Sequence, residues 1–154
     1  MRKIFLSLIT LLSLSVSSQL VVNEYSAANY DSYQDNYNEY EDWLELYNPT
    51  AIAIDISGYY LSDKVSNPTK WQVPSSFIVP ANGVAVVFCS GRNEVSGGFA
   101  HTNFKITQTK GSEVFLLSDA AAVLLDSVSV RSNLKTHSRG REVNASAIWS
   151  VFTN

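Results

Sequence analysis

Beyond its first nineteen residues this chain has almost no apolar spacing of the helical kind; it breaks into short β-branched and aromatic runs divided by turn residues. Apolar residues every third or fourth position would build an amphipathic helix, whereas short alternating or continuous runs of this composition build strands. The runs are Leu20–Ser26, Trp43–Tyr47, Ala51–Ile56, Tyr59–Ser62, Lys70–Val73, Phe77–Val79, Val84–Cys89, Glu113–Leu117, Val123–Val130 and Ala147–Phe152. Asn48-Pro49-Thr50, Ser57-Gly58, Ala81-Asn82-Gly83 and Ser118-Asp119-Ala120 separate them as turn signals. Many short strands in one chain of this size predict an all-β, antiparallel sandwich or barrel.

The segment Glu39-Tyr-Glu-Asp-Trp-Leu-Glu-Leu-Tyr-Asn48 is the clearest of these strands. Side chains alternate along a strand, so Leu44 and Leu46 share one face, predicted to enter the core, and Trp43, Glu45 and Tyr47 share the other.

Met1-Arg2-Lys3, the apolar run Ile4–Leu14 and the small residues Val16-Ser17-Ser18 have the layout of a secretory signal peptide over 1–18, with Gln19 as the new N-terminus. The run is too short for a transmembrane helix, which needs roughly 20 residues, and no other stretch approaches that length. An exported chain is therefore expected, secreted or held at the cell surface, with residues 19–154 forming one domain. Cys89 is the only cysteine, so no internal disulfide can brace the fold and the core must suffice. Its apolar neighbours predict a buried, inert thiol.

Charge is unevenly placed. Residues 19–63 hold nine acidic and no basic side chains, and residues 64–154 hold five acidic and nine basic. An exported, net acidic chain of this kind is a poor nonspecific binder of nucleic acid.

In order along the chain, Val22-Asn-Glu-Tyr25, Asp42-Trp-Leu-Glu-Leu-Tyr-Asn48, Ile54-Asp-Ile-Ser-Gly-Tyr-Tyr-Leu-Ser-Asp63, Trp71-Gln-Val-Pro74, Ile78-Val-Pro-Ala-Asn-Gly83, His101-Thr-Asn-Phe-Lys-Ile106, Leu125-Asp-Ser-Val128 and Ser138-Arg-Gly-Arg141 resemble the bacterial lamin tail domain. Each motif is weak alone; their order over nearly the whole of 19–154 is specific. The resemblance implies an immunoglobulin-like antiparallel β-sandwich. It also implies a closing proline- and glycine-containing segment after the Trp149 strand, so the domain is expected to lack its extreme C-terminal piece. Members often sit in longer exported proteins beside nuclease, other hydrolase or spore-coat-kinase-like domains, and further domains in the same chain are expected.

Catalytic constellations are missing from the sequence. There is no Gly-x-Ser-x-Gly turn, and one Cys with two separated histidines, His101 and His137, cannot supply a closed zinc site at the usual spacings. Both histidines are expected in loops or in packing, and Gly97-Gly98 reads as a flexible turn. The chain is expected not to be an enzyme. Two features carry the functional expectations. Asp31, Asp35, Glu39, Glu41 and Asp42 could place oxygens around calcium, although their spacing is not that of an EF-hand; the alternative is a solvated acidic loop, with no cofactor. Tyr33, Tyr37, Tyr40, Trp43 and Glu45, amid Ser, Asn and Asp, could form a surface that recognises an extracellular protein or carbohydrate; the alternative is packing over the end of the sandwich. The expected function is a noncatalytic interaction or adhesion module, against an accessory domain of a larger exported enzyme or a calcium-dependent binding domain.

Overall fold

The computed structural model describes residues 20–109 and 113–153, so the expected signal peptide lies outside the described residues. Thirteen strands and no helix are found there: β1 (Val21–Ser26), β2 (Trp43–Asn48), β3 (Ile54–Asp55), β4 (Tyr60–Ser62), β5 (Trp71–Gln72), β6 (Ile78–Val79), β7 (Gly83–Phe88), β8 (Glu94–Ser96), β9 (Phe99–His101), β10 (Val114–Ser118), β11 (Leu124–Ser129), β12 (His137–Arg141) and β13 (Trp149–Thr153). Seven form one sheet in the order β13-β12-β1-β2-β7-β9-β8, four a second in the order β11-β10-β4-β5, and β3 pairs with β6. The fold is an immunoglobulin-like β-sandwich.

Its core lies between the two larger sheets. Val22, Tyr25, Leu44, Leu46 and Val87 from the first meet Leu61, Trp71, Phe115, Leu117 and Val128 from the second. Val22 and Tyr25 are three residues apart, an odd spacing that a regular strand would send to opposite faces. A bulge between Val22 and Glu24 in the β1–β2 register absorbs one residue, so both enter the core. Tyr25 then meets Phe115 of the other sheet edge-on, with centroids 5.5 Å apart.

Three strands escape the propensity reading: β8, β9 and β12. Gly97 and Gly98, both at positive φ, form the two-residue turn joining β8 to β9 rather than a loose loop. The strand β9 pairs parallel with β7, through Val87↔Ala100 and Phe88↔His101, an exception in an otherwise antiparallel fold. Cys89 follows β7, fully buried, and burial pushes its thiol well above the usual range.

Candidate interaction surface

The loop between β1 and β2 lies over the outer face of the seven-stranded sheet. Because Leu44 and Val87 point into the core, their neighbours Trp43 and Phe88 point outward. The loop covers them: Tyr33 stacks on Phe88, with centroids 5.7 Å and planes 7° apart, and meets Trp43 edge-on at 6.2 Å. His101 also stacks on Phe88, at 5.4 Å. A second, smaller aromatic cluster therefore sits outside the sandwich core.

Two side chains give the loop its shape. Asn29 Nδ2 donates to the carbonyls of Tyr33 (2.6 Å) and Glu41 (2.9 Å), and its Oδ1 accepts from Ser32 Oγ at 2.8 Å. Its own backbone N–H donates to Asp42 Oδ1 at 3.0 Å. Asp35 Oδ1 accepts the N–H groups of Tyr37 (2.8 Å) and Glu39 (2.9 Å), closing a turn in which Asn38 takes φ 60°. Asparagine tolerates that left-handed conformation better than most residues.

Four of the five acidic residues engage partners within the fold, and Asp35 and Glu39 both approach Arg92. Glu39 pairs with Arg92, and Glu41 accepts both oxygens' worth of bonding from Lys105 at 2.9 Å. Asp35 holds the backbone, and its Oδ2 stands 4.0 Å from both Arg92 Nε and His101 Nδ1. Asp42 bonds Asn29, and burial raises its pKa to about 6. Asp31 is exposed. Among the described residues, no three His, Cys, Asp or Glu side chains gather in a group that could hold a metal ion.

The residues expected to form a recognition surface divide: the three tyrosines are exposed, and Trp43 and Glu45 are not. Tyr33, Tyr37 and Tyr40 are 46%, 44% and 43% exposed, and Tyr30 joins them at 62%. Tyr37 is fixed from three sides: Arg92 lies over its ring at 4.2 Å, His101 meets its edge, and its hydroxyl donates to Glu94 Oε1 at 2.6 Å. Lys135 lies over the Tyr30 ring at 4.6 Å. Trp43, expected at the surface, is buried, because Tyr33 closes over it. Glu45 is half-buried and accepts from Asn23 Nδ2 at 2.8 Å. Asn23 also bonds Asn144 and Ala145, so Glu45 belongs to that turn and not to the tyrosine group.

Beneath the loop, Ser90, His101 and Asp35 bring together the residue types of a hydrolytic triad, and their geometry does not make one. All three are buried. Ser90 Oγ lies 3.0 Å from His101 Nδ1, the same nitrogen that Asp35 approaches, while Nε2 is held at 2.8 Å by Asn36 Oδ1. A triad needs the serine and the acid on opposite ring nitrogens and the serine open to substrate. His101 is thus a packing residue, and His137, the first residue of β12, lies half-buried with Nδ1 2.9 Å from the Lys135 carbonyl.

Sequence reasoning also passed over a groove on the other side of the same sheet. It measures about 580 Å³ and lies between β11 and the β12–β13 hairpin, lined by Tyr25, Asp126, Arg131, Arg139, Arg141 and Trp149 among others.

The two-sheet core, with the bonded loop and its aromatic cluster on the outer face, defines an immunoglobulin-like domain. The family model described as Lamin Tail Domain matches residues 14–132, and the chain belongs to that family. No curated protein matches it.

Proposed function

We propose that this chain is a recognition module of an exported, surface-associated protein, and that the loop over 29–42 binds an extracellular protein or polymer. One observation carries the reading: four tyrosine rings remain 43–62% exposed on a loop whose backbone is already fixed by Asn29 and Asp35. Tyrosine offers apolar area and a hydroxyl with few rotatable bonds, and a preformed loop loses little entropy on binding. Export rests on the layout of residues 1–18. The noncatalytic reading rests on the family and on the closed geometry around His101.

The test uses the full chain expressed with its leader in a secreting host. The secreted protein should begin at Gln19. It should be retained on at least one of immobilised cellulose, chitin, peptidoglycan or gelatin, and the Tyr30→Ala/Tyr40→Ala variant should bind that matrix about tenfold more weakly. Equal retention of the variant would remove the loop from the binding surface. Retention on none of the four would sink the recognition reading.

A further inference from the structure

The groove between β11 and the β12–β13 hairpin has an imbalance of charge that folding does not use. Three guanidinium groups, Arg131, Arg139 and Arg141, line it beside one carboxylate, Asp126. That carboxylate serves Arg141, whose Nη2 lies 2.9 Å from Asp126 Oδ2 and whose remaining donors reach the carbonyls of Val22 and Ser146. Arg139 gives only its Nε, to the Ser132 carbonyl at 2.9 Å. Arg131 is exposed, and no side-chain bond of its guanidinium is found among the described residues. Two planar forks thus face the groove without a carboxylate, and such forks match carboxylate and sulfate oxygens two at a time.

The rest of the lining narrows the ligand. Trp149, half-buried, supplies the aromatic face; it rests on the core ring of Tyr25 with centroids 5.8 Å apart, and the Arg141 guanidinium lies over it at 5.0 Å. The Tyr25 hydroxyl accepts the Arg131 backbone N–H at 2.8 Å, fixing the chain that carries Arg131 against the core. Ser127 and Ser129 add hydroxyls. Rings, hydroxyls and guanidinium groups suit a sugar that carries acid groups. Arg139 also lines an adjoining hollow of about 420 Å³, together with Ser132, Leu134 and Val151. That arrangement suits consecutive units of a chain.

We propose that this groove binds an acidic oligosaccharide, with Arg131 and Arg139 pairing carboxylate or sulfate groups on its rings and Trp149 lying against a ring face. The site is independent of the tyrosine loop. Tyr37 bonds Glu94 of β8, at one edge of the seven-stranded sheet, whereas Trp149 belongs to β13 at the other. Net negative charge on the whole chain disfavours an extended nucleic-acid backbone, while two local arginines are enough for a short acidic sugar.

The test titrates the full chain at low ionic strength with hexagalacturonate, a heparin hexasaccharide and neutral maltohexaose, read by calorimetry and tryptophan fluorescence. At least one acidic sugar should bind and the neutral one should not; which acidic sugar binds separates carboxylate from sulfate. Arg131→Glu, at an exposed position, should weaken binding about tenfold or more with an unchanged melting midpoint. Trp149→Phe should abolish the fluorescence change. Binding by neither acidic sugar, or equal binding by Arg131→Glu, would overturn the proposal. So would tighter binding of hexaglutamate or a short DNA duplex, which would reassign the groove to acidic peptide or nucleic acid.

Discussion

Asn36 Oδ1 lies 2.8 Å from Nε2 of His101, tying the tyrosine loop to the sheet beneath it. An amide oxygen only accepts, so Nε2 carries the ring proton, and the neutral ring then presents Nδ1 as the acceptor of the Ser90 hydroxyl at 3.0 Å. His101 is therefore expected as the Nε2–H tautomer, checked by the ring nitrogen shifts in NMR. Ser90→Ala should leave Nδ1 buried without a donor and lower stability by about 1–2 kcal/mol in urea unfolding.

His101 also makes stability depend on pH. Burial is the largest influence on the ring and holds its pKa below the usual 6.5. As pH falls through 6.5 the unfolded chain takes up a proton that the folded ring does not, so stability declines below that point. His101→Gln should remove this part of the decline, seen as a smaller wild-type-minus-variant difference at pH 5.5 than at pH 7.5.

Asp42 acts in the opposite direction. Burial raises its pKa from 3.8 to about 6, against the N–H it accepts from Asn29. Between about pH 4 and 6 the unfolded carboxyl has lost a proton that the folded one keeps, so this group's contribution falls as pH rises. Asp42→Asn keeps an oxygen for Asn29 and should flatten that fall. The variant should gain about 1–2 kcal/mol relative to wild type between pH 4 and pH 7.5, after allowance for partial exposure. Urea unfolding across that range gives the comparison.

Calcium should leave the melting midpoint where a chelator leaves it. Glu39 and Glu41 are paired with Arg92 and Lys105, and Asp35 and Asp42 hold backbone N–H groups. An ion would have to displace these partners before collecting its six to eight oxygens. Thermal scans with millimolar calcium and with chelator check it; a clear upward shift with calcium would show that the loop rearranges around an ion.

Much of the sandwich could be read from residue order, and the reasons for the misses are physical. The strands β2 and β7 announce themselves because β-branched and aromatic residues run unbroken between turn signals. In contrast, β12 is His137-Ser-Arg-Gly-Arg141, a strand only because β1 and β13 flank it. Pairing by neighbours also explains β9, where His101 is buried by contacts from Asn36, 65 positions away. For the surface, composition identified the tyrosines but not that Trp43 lies beneath them. The alternation that sends Trp43 away from the core is correct; what covers it, Tyr33, arrives through a loop whose path depends on Asn29. The arginine groove was illegible for the same reason. Its charges are unremarkable in sequence and gain meaning only when β11 and the β12–β13 hairpin line the two sides of one groove.

The clamp between the sheets should be costly to disturb. The β1–β12 register runs only from Tyr25↔Arg139 to Glu24↔Gly140, and side chains take over at Val22. Asp126 Oδ2 accepts the Val22 N–H at 2.9 Å, and Arg141 Nε donates to the Val22 carbonyl at 2.9 Å. The two side chains also bond one another, both largely shielded from water. Asp126→Ala would leave a backbone N–H and a guanidinium without their acceptor, and should lower stability by about 2–4 kcal/mol. Arg141→Met alone should also destabilise, but the double variant should lose less than the sum, because each single change strands the other partner. A double-mutant cycle in urea measures that coupling, expected at about 1–3 kcal/mol. Strict additivity would mean that Val22 is held by the strand ladder alone and that the ion pair is incidental to joining the sheets.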